Sequence, residues 1–191
     1  MTRDLMHTDE LKAVVRDAYA AIDSSTEAVA RKLYSSDELD QVPRSAIEGA
    51  LGVGNHLRFA RLDPGATVLD VGCGAGIDTV LAAQRVGPGG RVVALDFLPE
   101  MLDLTAAAAH EAGLANVETL EGEMEAIPLP DESVDVVVSN GVINLSPRKA
   151  RSLAEFARVL LPTGELCVSD LTVDEQQLPT EVLTHPAAWA G

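Results

Sequence analysis

Two carboxylates, each closing an apolar run, and three alternating glycines beside the first carry most of the chemistry legible in this chain. The first run is Thr67-Val-Leu-Asp-Val-Gly-Cys-Gly-Ala-Gly76, with Asp70 two positions before Gly72 and further glycines at Gly74 and Gly76. The second, Arg91-Val-Val-Ala-Leu-Asp96, ends in Asp96 twenty residues after Gly76. Glycines let a backbone turn sharply and bring main-chain N–H groups close to a ligand. Asp96 is placed to accept hydrogen bonds from ribose hydroxyls. Together the runs predict a nucleotide-type cofactor site at the carboxyl ends of two parallel strands.

The spacing discriminates between cofactors. A dinucleotide fingerprint needs Gly-x-Gly-x-x-Gly, but the third glycine here comes one residue early, and counting from Gly74 puts Thr79 in its place. A pyrophosphate would also be repelled by Asp70 close by, whereas a cationic ligand would be attracted. A nicotinamide-linked oxidoreductase is disfavoured on both counts. The Asp-x-Gly-x-Gly-x-Gly form resembles the first motif of class I methyltransferases that use S-adenosylmethionine, whose sulfonium and ammonium groups are both positive.

The elements that must hold these residues alternate from about residue 67. Strands are predicted at 67–71, 91–96, 117–120, 134–139 and 165–171, and helices at 77–86, 99–112 and 147–161. Proline in the first turn and Gly113 at the end bound the second helix. Leu153, Phe156, Ala157 and Leu160 recur at helical period in the third, with Pro162-Thr-Gly164 ending it. Repeated βα units imply a parallel sheet with helices on both faces. The first sixty or so residues read as a separate helical segment. Leu11, Val14, Val15, Tyr19 and Ile22 recur at helical spacing, and Pro43 and Gly52-Val-Gly54 interrupt the remainder of the segment.

Composition fits one soluble unit: 191 residues, 47% apolar, with 30 acidic against 14 basic residues and a net charge of −16. That balance repels phosphate backbones and anionic lipid, so nucleic acid and membrane are not expected partners. The first residues lack the apolar stretch of a signal peptide. The two cysteines, Cys73 and Cys167, suit a reducing cytoplasm better than a disulfide framework.

The resemblance then narrows. Arg158-Val-Leu-Leu-Pro-Thr-Gly164 is similar to the Arg-Val-Leu-Lys-Pro-Gly-Gly stretch of class I methyltransferases, and Gly122-Glu-Met-Glu-Ala-Ile-Pro128 to their adenine-reading loop. Ser139-Asn-Gly-Val-Ile-Asn-Leu145 and Gly52-Val-Gly-Asn55 resemble arsenite methyltransferases specifically. The resemblance implies a Rossmann-like fold with residues 1–62 as a helical lid and 63–191 as the S-adenosylmethionine-binding core. It implies that Gly72, Gly74 and Gly76 shape the turn under the methionine part, with Asp70 holding its ammonium and Asn140 offering its main-chain carbonyl to the same group. Asp96 would take the ribose hydroxyls, Phe97 and Met101 would flank the adenosine, and Glu123 and Met124 would read the adenine. The acceptor would be a small molecule.

Three departures accompany the likeness. Arsenite methyltransferases bind trivalent arsenic through cysteines, a soft ligand for a soft atom. The expected positions hold Val53 and Gly141, and the third would follow Gly191. A chain ending there fits a shortened product, or a UGA codon read as termination where it encodes selenocysteine; the codon after Gly191 in the natural gene decides. The usual antiparallel strand pair beyond strand five is also not expected, which would leave strand five an open edge and favour a homodimer. No general base is evident. His56 and His185 are candidates to line the substrate side, Asn144 and Asp78 could orient a substrate, and His7 and His110 read as surface residues. An acceptor site altered from the arsenite family is the reading; a domain that binds S-adenosylmethionine without transferring its methyl is the alternative.

Overall fold

The computed structural model of the chain describes Ala13 and residues 26–172. The helical periodicity over residues 11–22, His7 and His185 lie outside the described residues. Within residues 26–172 three short helices come first: α1 (Glu27–Leu33), α2 (Ser36–Leu39) and α3 (Arg44–Glu48), followed by a 3-10 turn at His56–Arg58. The βα alternation then runs β1 (Thr67–Val71), α4 (Ile77–Val86), β2 (Arg91–Asp96), α5 (Pro99–Glu111), β3 (Val117–Glu121), β4 (Val134–Asn140), a 3-10 turn at Ile143–Leu145, α6 (Lys149–Val159) and β5 (Leu160–Ser169).

The sheet is parallel throughout, in the order β3-β2-β1-β4-β5. Side chains alternate across its two faces, as a pleated strand requires. Val68, Val92, Val136 and Val138 join one core with α4 and with Ala30, Tyr34, Leu39, Ala46 and Leu57 of the N-terminal helices. Leu69, Val71, Val93, Leu95 and Val137 join another with Phe156 and Val159 of α6. Coverage on both faces is why β1, β2 and β4 read as continuous apolar runs. Edge strand β3 instead carries exposed glutamates.

The largest departures from the expected boundaries lie around α6 and β5. The third predicted helix is shorter, and β5 begins directly after it at Leu160 rather than at 165. The cause is a register shift against β4: Val134 pairs with Leu160 but Val136 pairs with Glu165. The Pro162-Thr-Gly164 punctuation is thus a bulge within a strand. Hydrogen bonds from the Glu132 and Ser133 amides to the Arg158 and Val159 carbonyls, at 2.9 and 2.7 Å, lead directly into this pairing.

His56 is the other correction. It lies buried at 3% exposure, outside the cleft at the carboxyl ends of the strands, and neither ring nitrogen has a partner among the described residues. Burial holds its pKa below the ordinary histidine value. The unfolded chain therefore takes the proton first, and stability is lost as pH falls below about 6.5. Replacing His56 by Leu removes two unpaired buried nitrogens, a gain of about 1–3 kcal/mol. We expect His56→Leu to melt several degrees higher than the parent at pH 7, with the gap widening at pH 5.5. Calorimetric melts check this, and a lower melting temperature would mean that the nitrogens are satisfied.

Candidate cofactor cleft

β1 is flanked by β2 on one side and β4 on the other, so the chain leaves its carboxyl end towards opposite sides of the sheet. This is the switch point at which open parallel sheets bind ligands. A cavity of about 330 Å³ opens there, lined by residues from 70–78, 95–101, 122–125 and 140–147 and by Thr26 and residues 48–52 of the N-terminal segment.

The glycine turn forms its floor. The Gly72 and Cys73 amides both donate to the Leu95 carbonyl, at 2.8 and 3.1 Å, bending the chain across the end of β2. Gly72 has φ +74°, and a Cβ there would stand 2.7 Å from Val142. Gly74 has φ +54°, and where its Cβ would be there is open space. The first glycine thus allows close packing, and the second leaves bare backbone facing the cleft. Gly76 begins α4 beneath Thr105 and does not line the cleft.

Two buried acids stand beside this turn. Asp96 accepts from the Gly74 amide (3.1 Å) through Oδ2 and from the Leu98 amide (3.0 Å) through Oδ1, joining the end of β2 to the turn. Burial raises its pKa against the pull of those amides. Asp70 is 2% exposed, and Thr79 Oγ1 donates to its Oδ2 at 2.5 Å. Burial first, then the neighbouring Asp78 and Asp96, push its carboxyl up to about 7. Phe97, Met101, Glu123 and Met124 all border the cavity.

The loop after β3 is held by α6. Arg158 donates to the Leu129 and Ile127 carbonyls, both at 2.8 Å, to Asp131 at 2.8 Å and to Glu155 at 2.7 Å. Glu155 in turn accepts from the Ile127 amide at 2.9 Å, and Arg151 donates to the Glu125 carbonyl at 2.7 Å. Ser146 donates to the Glu125 carboxylate. The motif at residues 158–164 signals resemblance in the sequence; in the fold its arginine shapes the loop that carries Glu123 and Met124.

Asn140 does more than its predicted main-chain role. Its side-chain Oδ1 accepts from the Val53 and Gly54 amides at 2.9 and 3.2 Å, and its Nδ2 donates to the Gly54 carbonyl and to Asp78 Oδ2, both at 2.9 Å. Tyr34 donates to Asp78 Oδ1 at 2.7 Å. Burial, followed by Asp78, keeps the Tyr34 phenol protonated by raising its pKa. Nothing local in the sequence signals this network, because its members lie far apart in the chain.

The remaining candidates fall elsewhere. Asn144 lies outside the lining, where its side chain donates to the Leu171 carbonyl. His110 is exposed. Cys73 is buried with its thiol pKa raised by burial, and Cys167 donates to the His56 carbonyl at 3.1 Å; neither is in a disulfide. No cluster of metal-ligand type exists among the described residues. No described helix is long and apolar enough to cross a membrane.

Strand order, glycine turn and the acid closing β2 define a Rossmann-like class I methyltransferase fold. A family profile described as "Methyltransferase domain" matches residues 62–190, and the chain belongs to that family. It is 42% identical over 158 residues to an arsenite methyltransferase of Halobacterium salinarum, covering 83% of this chain and 40% of that protein. It is 36% identical over 114 residues to a demethylmenaquinone methyltransferase of Listeria monocytogenes, covering 60% and 48%. Among solved structures, an arsenic(III) S-adenosylmethionine methyltransferase from Chlamydomonas reinhardtii superposes with a TM-score of 0.71 at 39% identity, covering 80% of this chain and 53% of that one. The chain spans less than half the length of these curated relatives.

Asp70 yields a prediction independent of any ligand. A folded pKa above the unfolded value means that its stabilising contribution is full in acid and is lost as pH rises through about 7. Asp70→Asn keeps an acceptor for Thr79 without the charge. We expect the variant to melt higher than the parent at pH 8, by on the order of 1 kcal/mol or more, with the gap narrowing as pH falls and closing only below about 4, the unfolded value. A pH-independent difference would show that Asp70 does not titrate in this range.

Proposed function

We propose that the chain is an S-adenosylmethionine-dependent methyltransferase domain acting on a small-molecule acceptor, with an acceptor wall altered from that of arsenite methyltransferases. One observation carries the cofactor assignment. Buried Asp70 and Asp96 face a bare glycine turn, and no lysine, arginine or histidine lines the cleft among the described residues. That surface suits a cation and opposes a pyrophosphate. The open space at Gly74 and the cavity volume also fit the cofactor.

In this reading the Asp96 carboxylate, held by the Gly74 and Leu98 amides, accepts from the ribose hydroxyls. Asp70 faces the ammonium, the Asn140 carbonyl joins it, and backbone near Gly72 and Gly74 meets the methionine part. Phe97 and Met101 flank the adenosine, and Glu123 and the Met124 amide read the adenine. S-adenosylmethionine, when bound, supplies an electrophilic methyl group. The chain's own contribution is alignment and exclusion of water, for which proximity is the main source of rate. Thr26 and residues 48–52 already wall the cleft, which supports reading residues 1–62 as its helical lid and 63–191 as the core.

The altered wall rests on a second observation. A Cβ at Gly141 would lie 3.1 Å from Val53 Cγ1, so the two positions that hold cysteines in the resembled family are neighbours here, and both are apolar. This lack of thiols favours one alternative, a domain that binds the cofactor without transferring its methyl.

Calorimetric titration with S-adenosylmethionine and S-adenosylhomocysteine tests the assignment. Micromolar binding of both is expected. Near pH 6.5, buffer-dependent heats should show net proton release with S-adenosylmethionine, as Asp70 gives up its proton to face positive charge. Absence of binding to either refutes the reading, and turnover of a labelled methyl group separates enzyme from binding module. For the wall, phenylarsine oxide should bridge two thiols in the Val53→Cys/Gly141→Cys variant and not in the parent. Mass spectrometry reads this directly, and no bridging would mean that the positions do not form a common seat.

A further inference from the structure

We propose that Asn140 and Asp78 are positioning residues, a buried side-chain pair that fixes the loop at residues 52–54, whose Gly52 lines the cleft. The proposal rests on the methyltransferase reading for its functional meaning and on hydrogen-bond geometry for its existence.

The Val53 and Gly54 amides donate to Asn140 Oδ1 at 2.9 and 3.2 Å, and no backbone carbonyl accepts from either among the described residues. The loop reaches this position only because it is glycine-flanked: a Cβ on Gly52 would stand 2.4 Å from Asn140 Nδ2, and one on Gly54 2.0 Å from Ser169 Oγ. Two backbone donors on Oδ1 set the orientation of the Asn140 amide, which directs Nδ2 at Asp78. Asp78, at 6% exposure in the first turn of α4, accepts from Asn140 on one oxygen and from Tyr34 on the other. With an amide at position 78, Asn140 could turn over and lose the loop; the carboxylate, which only accepts, forbids that. Gly52, Asp78 and Asn140 all border the cleft, so the pair holds a ligand-facing surface.

The test is an exchange of chemistry between the two sites. Asn140→Asp still accepts from the loop amides but sets two carboxylates against each other. Asp78→Asn added to it restores a donor between the two sites, with polarity reversed and charge unchanged from the parent, and leaves the bond to the Gly54 carbonyl unreplaced. Hydrogen exchange of the Val53 and Gly54 amides, read by NMR, should accelerate at least tenfold in Asn140→Asp and return to within about threefold of the parent in the double variant. Tyr34→Phe, a milder change, should accelerate the same two amides by a smaller factor, which keeps the test available if Asn140→Asp does not fold. Saturating S-adenosylmethionine should slow this exchange in the parent and the double variant but not in Asn140→Asp. Parental exchange rates in Asn140→Asp, or a double variant no slower than the single, would overturn the proposal. If the parent binds no S-adenosylmethionine, the methyltransferase reading fails while the ligand-free exchange still decides the clamp.

Discussion

Burying carboxylates without a cation is the constraint around which the rest of this structure is arranged. Asp70, Asp78 and Asp96 are each more than nine-tenths buried at the carboxyl ends of β1 and β2 and in the first turn of α4. A desolvated carboxylate is costly unless something else satisfies it. Here three kinds of donor do so: backbone amides of the glycine turn and of Leu98 on Asp96, the Thr79 hydroxyl on Asp70, and the Tyr34 phenol with the Asn140 amide on Asp78. Neutral donors offset desolvation only in part, and burial still raises the pKa of Asp70. An acidic cleft of this kind suits a cation better than an anion.

Hydrogen bonds of this network also tie separate parts of the chain together. Tyr34 brings the N-terminal helices to α4, Asn140 brings the loop at 52–54 to the end of β4, and Asp96 joins β2 to the turn after β1. The polar groups that make the cleft reactive to a ligand thus also fix its walls. On the opposite face, Arg158 and Glu155 perform a comparable task for the loop after β3, using charge-assisted bonds at the edge of solvent rather than neutral ones in the core.

Legibility in the sequence followed the range of the interactions. Buried parallel strands show as apolar runs because both faces are covered, so β1, β2 and β4 could be placed, and with them Asp70, Asp96 and the glycine turn. The start of β5 could not, since Pro162 and Gly164 look like a terminator unless the pairing of Val134 with Leu160 and of Val136 with Glu165 is known. His56 reads in the sequence as a candidate to line the substrate side, yet its 3-10 turn packs on β4 and β5, with Cys167 over a hundred positions away. Asn140 was legible as a residue at a strand end, but its partners at positions 34, 54 and 78 lie 106, 86 and 62 residues away. No local pattern encodes such a convergence.

The contact between Val53 and Gly141 is separate in the fold from the glycine turn and its acids. Val53 and Gly141 come from a loop before the sheet and a turn after β4, and they meet because Asn140, the residue between Ser139 and Gly141, clamps that loop. The clamp itself is independent of what stands at either position. Substitution at both leaves the glycine turn, Asp96 and the loop after β3 untouched, because the fold assembles this contact from elements outside the glycine turn.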